Sequence, residues 1–405
     1  RRSSITAKIV VNKEEITRFG DANIVDILRR VPGLTVGTAQ GRGSDIRMRG
    51  LGNGYTQILL NGDPVPPGFS IDSLSPSLIE RIEVSRVPTA DQSTQAIAGT
   101  INIILKQIAR KSQRELKASL VGYSNTPSIY LDGQTADRSG NFSYSIAGSI
   151  GREDYVRPSE LQQRDFDEAG RPILSRTVQK EITEQGIRLN LTPRFKWDLS
   201  KQESLTFEAL LSRHSTNGET VESRSTAYGP LPLYANDTIK QEIDITTLRS
   251  KLGWSRTFDN DAKAEVKLGT NFGQTKGAAT FLGFDDDRRI VQQQDITSLA
   301  KDKSFTLSGN YRTSFAEQHA ISIGWDGEYS QRYEDRIQRT TAAPGYPNID
   351  LDEIYNVHVK RIALFAQDEW DISPKASLYW GIRWENLGTG TTGNVLEKVG
   401  NTSSV

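Results

Sequence analysis

Three histidines, His214, His319 and His358, are the only imidazoles in a chain of 405 residues, and their separation gives no paired metal-ligand spacing. The chain has no cysteine, which excludes disulfides, thiolate nucleophiles, iron–sulfur clusters and Cys-ligated zinc. Asp285-Asp286-Asp287 offers the hard oxygen ligands that Ca²⁺ takes. The same triplet lies between two alternating runs, where it reads as a solvated hairpin tip. Gly50-Leu51-Gly52-Asn53-Gly54 suggests a phosphate-cradling loop, but such a loop must lead into a helix whose N-terminus meets the phosphate. Here Tyr55 to Leu60 reads as a strand, so a plain turn is expected. No nucleophile with a base and no carboxylate pair has catalytic spacing. We therefore expect no enzyme, no cofactor and no resident metal.

The 50 Lys and Arg balance the 50 Asp and Glu, and this balance fits neither a basic nucleic-acid binder nor a disordered polyelectrolyte. No nucleic acid is expected as a partner. Aliphatic runs stop at three or four residues, as in Ile58-Leu59-Leu60, far short of the roughly 20 that a spanning helix needs. A transmembrane β-barrel passes this filter, because its strands alternate lipid-facing and lumen-facing residues. Arg1-Arg2-Ser3-Ser4-Ile5 does not read as a secretory leader, which we expect to have been removed or to lie outside the chain.

The elements that must position these residues change character near residue 107. Before it, Asn12 with Glu15 is a capping-box pattern opening a helix that should end at Gly20. Asn23 can cap a second helix, Ile24 to Arg30, with Ile24, Ile27, Leu28 and Val31 on one face and Pro32-Gly33 as its stop. Short strands are expected at Leu34 to Val36, Asp45 to Arg49, Gln57 to Leu60, Arg81 to Val84 and Thr100 to Leu105. This is an α+β domain over residues 1–107.

From 108 to 405 the period is two. Ala264, Val266, Leu268, Thr270 and Phe272 alternate with Lys263, Glu265, Lys267, Gly269 and Asn271, and Leu378, Trp380, Ile382 and Trp384 alternate with Tyr379, Gly381, Arg383 and Glu385. Tight polar turns are expected at Asp137–Gly140, Asp198–Lys201, Asp259–Asp261, Ala316–Gln318 and Ser373–Lys375. Longer connections are expected at Tyr155–Pro172, Gly218–Thr238, Gly283–Arg289 and Thr340–Tyr355, so one end has turns and the other loops, as in an outer-membrane barrel. Eleven strands fit the span at about 27 residues each with their loops, more than the 9 to 11 needed to cross. They must project beyond the membrane. Trp325, Trp380 and Trp384 are assigned to the lipid face or its aromatic girdle.

Four ordered segments carry a resemblance: Arg47-Met48-Arg49-Gly50, Ile58 to Val65, Ile79 to Val84, and Ala98-Gly99-Thr100-Ile101-Asn102-Ile103-Ile104-Leu105-Lys106. Together they resemble the plug domain of TonB-dependent outer-membrane receptors. Phe365-Ala366-Gln367-Asp368-Glu369-Trp370 and Gly381-Ile382-Arg383-Trp384-Glu385 are similar to that family's mid-barrel hairpin. Arg86-Val87-Pro88 stands where the family commonly has Arg-Gly-Pro. The resemblance implies an α+β plug domain (1–107) followed by an antiparallel transmembrane β-barrel (108–405) with about 11 of its 22 strands present. An open sheet would leave unpaired edges in lipid, so the chain is expected to be a fragment of a longer receptor.

The resemblance further implies a Gram-negative outer-membrane transporter of a scarce large solute, with a ferric siderophore first. Saccharide, cobalamin, haem or peptide uptake, or an adhesion role on the same scaffold, are alternatives. The implied partners are outer-membrane lipid, the extracellular ligand, and TonB with ExbB and ExbD, acting through a TonB box not found in this chain. It places plug apices near Thr38–Ser44 and Pro64–Ser70, with Gln40, Arg42, Pro67 and Phe69 as ligand contacts. Arg49 and Arg86 match plug arginines that lock onto barrel carboxylates, here expected beyond residue 405.

Overall fold

Asn12 Oδ1 accepts the Glu15 N–H at 2.9 Å and Glu15 Oε2 accepts the Asn12 N–H at 3.0 Å. This reciprocal cap opens α1, Lys13–Arg18. Helix α2, Ile24–Arg29, buries Ile24, Val25, Ile27 and Leu28, the face that the 3–4 spacing marks. The computed structural model describes residues 8–18, 24–38, 44–51, 55–65, 74, 76–86, 90, 97–106, 112–122, 127–316, 318–373, 376–394 and 403–404.

Strands β1 (Lys8–Val11), β2 (Leu34–Thr38), β3 (Ser44–Met48), β4 (Thr56–Leu60), β5 (Asp63–Pro64), β6 (Ile79–Ser85) and β7 (Gly99–Leu105) complete the first domain. They form a five-stranded sheet of order β1-β6-β7-β4-β5 and a separate β2-β3 ribbon. One core unites Ile24 and Leu28 of α2 with Met48, Ile82, Ile101 and Ile103. Each such side chain contributes about 1.5–3 kcal/mol by leaving water. Gly99, at φ +126°, passes so close to its neighbours that a Cβ would stand 2.2 Å from the Ser85 carbonyl oxygen and 2.8 Å from Met48 Sδ. Only glycine fits there.

The second sheet is wholly antiparallel and runs in chain order. It contains β8 (Gln113–Gly122), β9 (Pro127–Ser139), β10 (Phe142–Phe166), β11 (Pro172–Asp198), β12 (Glu203–Tyr228), β13 (Asn236–Thr257), β14 (Lys263–Phe284), β15 (Ile290–Phe315), β16 (His319–Ala342), β17 (Leu351–Ser373), β18 (Ala376–Gly393) and β19 (Ser403–Ser404). Strands β8 to β18 are the expected eleven, joined by tight connections where the sequence placed them. The long connections are shorter than expected. β10 continues to Phe166 and β12 to Tyr228, and β17 starts at Leu351, because polar residues on both faces of a strand outside the membrane resemble a loop in sequence. Asp285 caps its own turn, its carboxylate accepting the Arg289 N–H at 2.8 Å. The aspartate triplet is a hairpin tip.

The alternation survives in space. Leu268, Leu307, Ile323, Leu364 and Ile382 form outward rows, 47–68% exposed, with Trp325, Trp380 and Trp384 among them. Phe315 on β15 lies ten residue steps beyond Phe305, which at about 3.4 Å rise and about 45° tilt span about 24 Å, the height of a lipid-facing band. Phe142, Tyr144, Phe195, Trp197 and Phe207 cluster at the turn end of that band. Phe272 and Phe305 meet edge to face at the other. Beyond them the strands continue outward.

Candidate functional site

Asn61 and Gly62 both take positive φ, 52° and 87°, making the two-residue Asn-Gly turn that joins β4 to β5. The turn is pinned to β7 by Asn61 Oδ1 accepting the Leu105 N–H at 2.9 Å and Asn102 Oδ1 accepting the Gly62 N–H at 2.9 Å. It therefore presents Asn61 and Asp63 rigidly to the inner wall of the large sheet. There Asn61 Nδ2 donates to Glu208 Oε2 of β12 at 2.9 Å. Asp63 Oδ2 stands 2.8 Å from Lys251 Nζ and 3.8 Å from Arg249 Nη2 of β13. Arg194 of β11 closes on the other oxygen of Glu208. A plug hairpin is thus held by three charged wall residues on the adjacent strands β12 and β13, with Arg194 of β11 fixing one of them, Glu208.

Two further contacts join the domains. Ala90 donates its N–H to Tyr379 Oη of β18 at 3.0 Å and accepts from Arg383 at 3.5 Å. Arg383 in turn reaches Asp326 at 2.7 Å and Glu385 at 2.8 Å. At the opposite edge, Lys106 faces Glu115 of β8 at 3.9 Å. Burial pulls the Lys106 ammonium below its ordinary value, and the Glu115 carboxylate only partly offsets this. Between the hairpin and β13–β17 lies a cavity of about 240 Å³, lined by Asp63, Lys251, Glu265, Lys267, Glu328 and Arg361 among others. That volume accommodates about eight waters. Among the described residues, Ala147 and Leu210 are the wall residues that join the apolar plug core.

Farther out, apolar residues enter the inward row of β13 to β15. The register places Ile239, Ile243, Phe281 and Ile296 on the inner face. Tyr234 stacks on Tyr346 at 6.0 Å, meets Phe281 edge-on at 5.3 Å and donates to Gln292. Burial, with Tyr346 and Asp237 beside it, pushes the Tyr234 phenol above its ordinary value, so it stays a neutral donor. The charges of this outer wall neutralise one another: Arg157 pairs with Glu184 at 3.0 Å, and Arg224 with Glu222 and Asp237.

Gln40, Arg42, Pro67 and Phe69 lie outside the described residues. Arg86 donates to the Pro32 carbonyl at 3.0 Å and lies 3.0 Å from where a Cβ of Gly33 would stand, clamping the end of α2. Arg49 sits exposed at φ 57°. Among the described residues neither arginine hydrogen-bonds a wall carboxylate. The wall residues Glu208, Arg249 and Lys251 had no distinguishing sequence signal beyond being inward and charged, whereas the Asn-Gly turn that meets them is legible.

Residues 1–100 match the sequence model described as TonB-dependent Receptor Plug Domain, and residues 190–404 the one described as TonB dependent receptor-like, beta-barrel. The chain is 24% identical over 425 residues to the Ferric enterobactin receptor of Pseudomonas aeruginosa, covering 93% of this chain and 54% of that protein. It is 28% identical over 393 residues to the Iron-regulated outer membrane virulence protein of Vibrio cholerae, covering 93% and 51%. To the Ferrienterobactin receptor of Escherichia coli it is 27% identical over 423 residues, covering 95% and 54%. The chain spans about half the length of these relatives. The ferripyoverdine receptor of the Pseudomonas aeruginosa outer membrane, solved with ferripyoverdine, shares the fold at a TM-score of 0.63 and 13% identity, covering 96% of this chain and 52% of that one. The siderophore receptor PiuA from Acinetobacter baumannii does so at 0.61 and 15%, covering 98% and 60%.

Proposed function

Since the chain belongs to the TonB-dependent receptor family of the outer membrane, we propose that it forms the plug and part of the barrel of an active transporter for a ferric siderophore. The observation that carries this reading is the plug–wall interface. Its described contacts include ion pairs, hydrogen bonds and a cavity that holds several waters, beside apolar contact at Ala147 and Leu210. Water can replace such contacts as they part, so the plug can be displaced at modest cost, whereas a dry core of the same size would resist. Two relatives named for ferric enterobactin and ferrienterobactin support an iron chelate as cargo. The aromatic ledge of Tyr234, Tyr346 and Phe281 supports a solute with flat apolar faces.

In this mechanism the solute is first held between the outer wall and the plug apices, for which Gln40, Arg42, Pro67 and Phe69 are candidates. TonB, energised with ExbB and ExbD, adds a strand to a segment of the receptor on the periplasmic side. Pulling breaks the Asp63–Lys251 and Asn61–Glu208 contacts and opens the lumen. Arg49, free on the plug surface, is a candidate for a further lock onto a wall carboxylate. The test is uptake of radio-iron supplied as ferric enterobactin, in cells expressing this receptor from its native gene and lacking other iron receptors. Uptake should vanish when TonB is deleted. Uptake that survives the deletion contradicts the reading, and uptake of cobalamin but not iron would reassign the cargo.

A further inference from the structure

We propose that His214, on the inner face of the wall above the plug, is a proton-controlled charge that tightens the hold on an anionic iron chelate as the pH falls. This inference rests on the transport reading above and adds to it a residue and a pH dependence. His214 of β12 stands opposite Arg188 of β11, Arg188 opposite Gly151 of β10, and Gly151 opposite Tyr130 of β9. Glu153, one inward step beyond Gly151, stands opposite Gly186. Two glycines clear the bed on which these side chains converge. A Cβ on Gly151 would stand 2.4 Å from the Tyr130 ring, and one on Gly186 would stand 2.8 Å from Thr216 Cγ2 and 3.6 Å from His214 Nε2. The imidazole therefore reaches across β11, and the phenol across β10, to one carboxylate.

Glu153 Oε1 accepts from Tyr130 Oη at 3.2 Å and from Arg188 Nη2 at 3.0 Å, and Glu153 Oε2 meets His214 Nε2 at 3.2 Å. Glu153 and Arg188 are 3% and 5% exposed and cancel one another's charge. While the imidazole is neutral and donates from Nε2, the group as a whole carries no net charge. A second proton on His214 adds one positive charge, and among the described residues no free carboxylate answers it. The groups around His214 are Tyr130 of β9, Glu153 and Tyr155 of β10, Arg188 of β11, its own neighbours Ser212 and Thr216, and Ile243 and Ile245 of β13. Glu184, the next inward acid, is held by Arg157 at 3.0 Å. Asp154 and Asp244 belong to the outward face, with Arg152 at 3.2 Å and Arg213 at 3.8 Å.

Position decides what that charge acts on. Leu210, two inward steps below His214 on the same strand, joins the plug core. Above, Ile243 and Ile239 lead along β13 to Phe281 and Tyr234 of the aromatic ledge. His214 thus stands between the ledge and the plug, and its side chain is the more open member of its pair, 17% exposed against 3% for Glu153. Histidine is the side chain whose charge ordinarily changes between pH 5 and 8. A ferric tris-catecholate is an anion, and one added charge within about 10 Å changes its affinity about three- to tenfold in such a wall.

The test is the dissociation constant of ferric enterobactin, measured at pH 8 and at pH 6, for the receptor expressed from its native gene and purified in mild detergent. Wild type should bind at least about threefold more tightly at pH 6. His214→Gln keeps a donor for Glu153 but gains no proton, so its two constants should be equal and should match wild type at pH 8. His214→Lys carries the charge throughout and should bind at both values as wild type does at pH 6. A residue that only shaped the wall would shift both constants together. His319 and His358 are unchanged in both variants, so the difference belongs to His214. An unchanged heat-induced gel shift verifies that each variant is folded, and His214→Asn serves if His214→Gln is not. A flat wild-type profile, or a pH response that persists in His214→Gln, overturns the proposal and leaves the transport reading standing. Uptake that survives loss of TonB beside an intact, His214-dependent pH response does the reverse.

Discussion

Asp63 is the residue on which the plug–wall contact turns, because two wall cations converge on one plug carboxylate. Replacing it with alanine leaves Lys251 and Arg249 facing the interior without that partner. The expected cost is about 1–3 kcal/mol, read as a lower urea midpoint for plug release. A double-mutant cycle with Lys251→Met should show a coupling of about 0.5–3 kcal/mol, and strict additivity would remove Asp63 from the latch. Lys106 makes the opposite prediction. Its folded value is depressed below 10.5, so the folded protein holds this proton more weakly than the unfolded chain does, and the buried charge costs stability at neutral pH. Plug stability should therefore rise as the pH climbs towards 10.5 and this proton leaves the folded protein first, and the rise should disappear in Lys106→Met. A curve that falls over that range in wild type and flattens in the variant contradicts the assignment. At this scale the sequence was half legible. Asn61-Gly62 announces a tight hairpin by residue type alone, but Glu208 and Lys251 look like any other inward polar residue, since the level at which a wall strand meets the plug is written in no local pattern.

The strands test the alternation directly, because neighbouring residues on one strand face opposite solvents. Leu307 points to lipid and Ser308 lines the cavity. Leu307→Arg should cost about 2–4 kcal/mol, whereas Ser308→Arg enters a polar space and should cost about 0.5 kcal/mol or less. Equal penalties would mean that the faces are misassigned. Gly309 offers a second element-level test: a Cβ there would lie 2.1 Å from the indole of Trp325. Gly309→Ala should push that ring off the strand and destabilise the barrel by about 1–3 kcal/mol, seen as a lower temperature for loss of the folded gel mobility. The period of two made these rows and the eleven strands readable in advance. It failed above the band, where Val221 and Ser223 face water and Thr220 and Glu222 face the lumen. With polar residues on both faces, strand and loop have the same composition. β1 was missed for another reason: Lys8-Ile9-Val10-Val11 is too short for a pattern, and its pairing with β6 comes from tertiary contact.

At the scale of the molecule, a dry plug core meets a wall that holds it through ion pairs and hydrogen bonds at a few described places. Ile82 and Ile101 are wholly buried and hold the plug together as a body, while Asp63, Ala90 and Lys106 attach it at three places around the wall. Such a body can move as a unit when its few polar attachments break, which is the central claim. This chain has no cysteine, so none of its own residues competes with an introduced pair of thiols. A Cβ on Gly381 would come 2.8 Å from that of Ala90, so a shift of about 1 Å brings Ala90→Cys and Gly381→Cys to disulfide geometry. The decisive measurement is radio-iron uptake, supplied as ferric enterobactin, in cells carrying this double variant in the receptor expressed from its native gene, with the pair oxidised and then reduced. The account predicts normal ligand binding in both states, uptake abolished when the plug is tethered, and uptake restored by reductant. Full uptake through an oxidised, verified tether would contradict it.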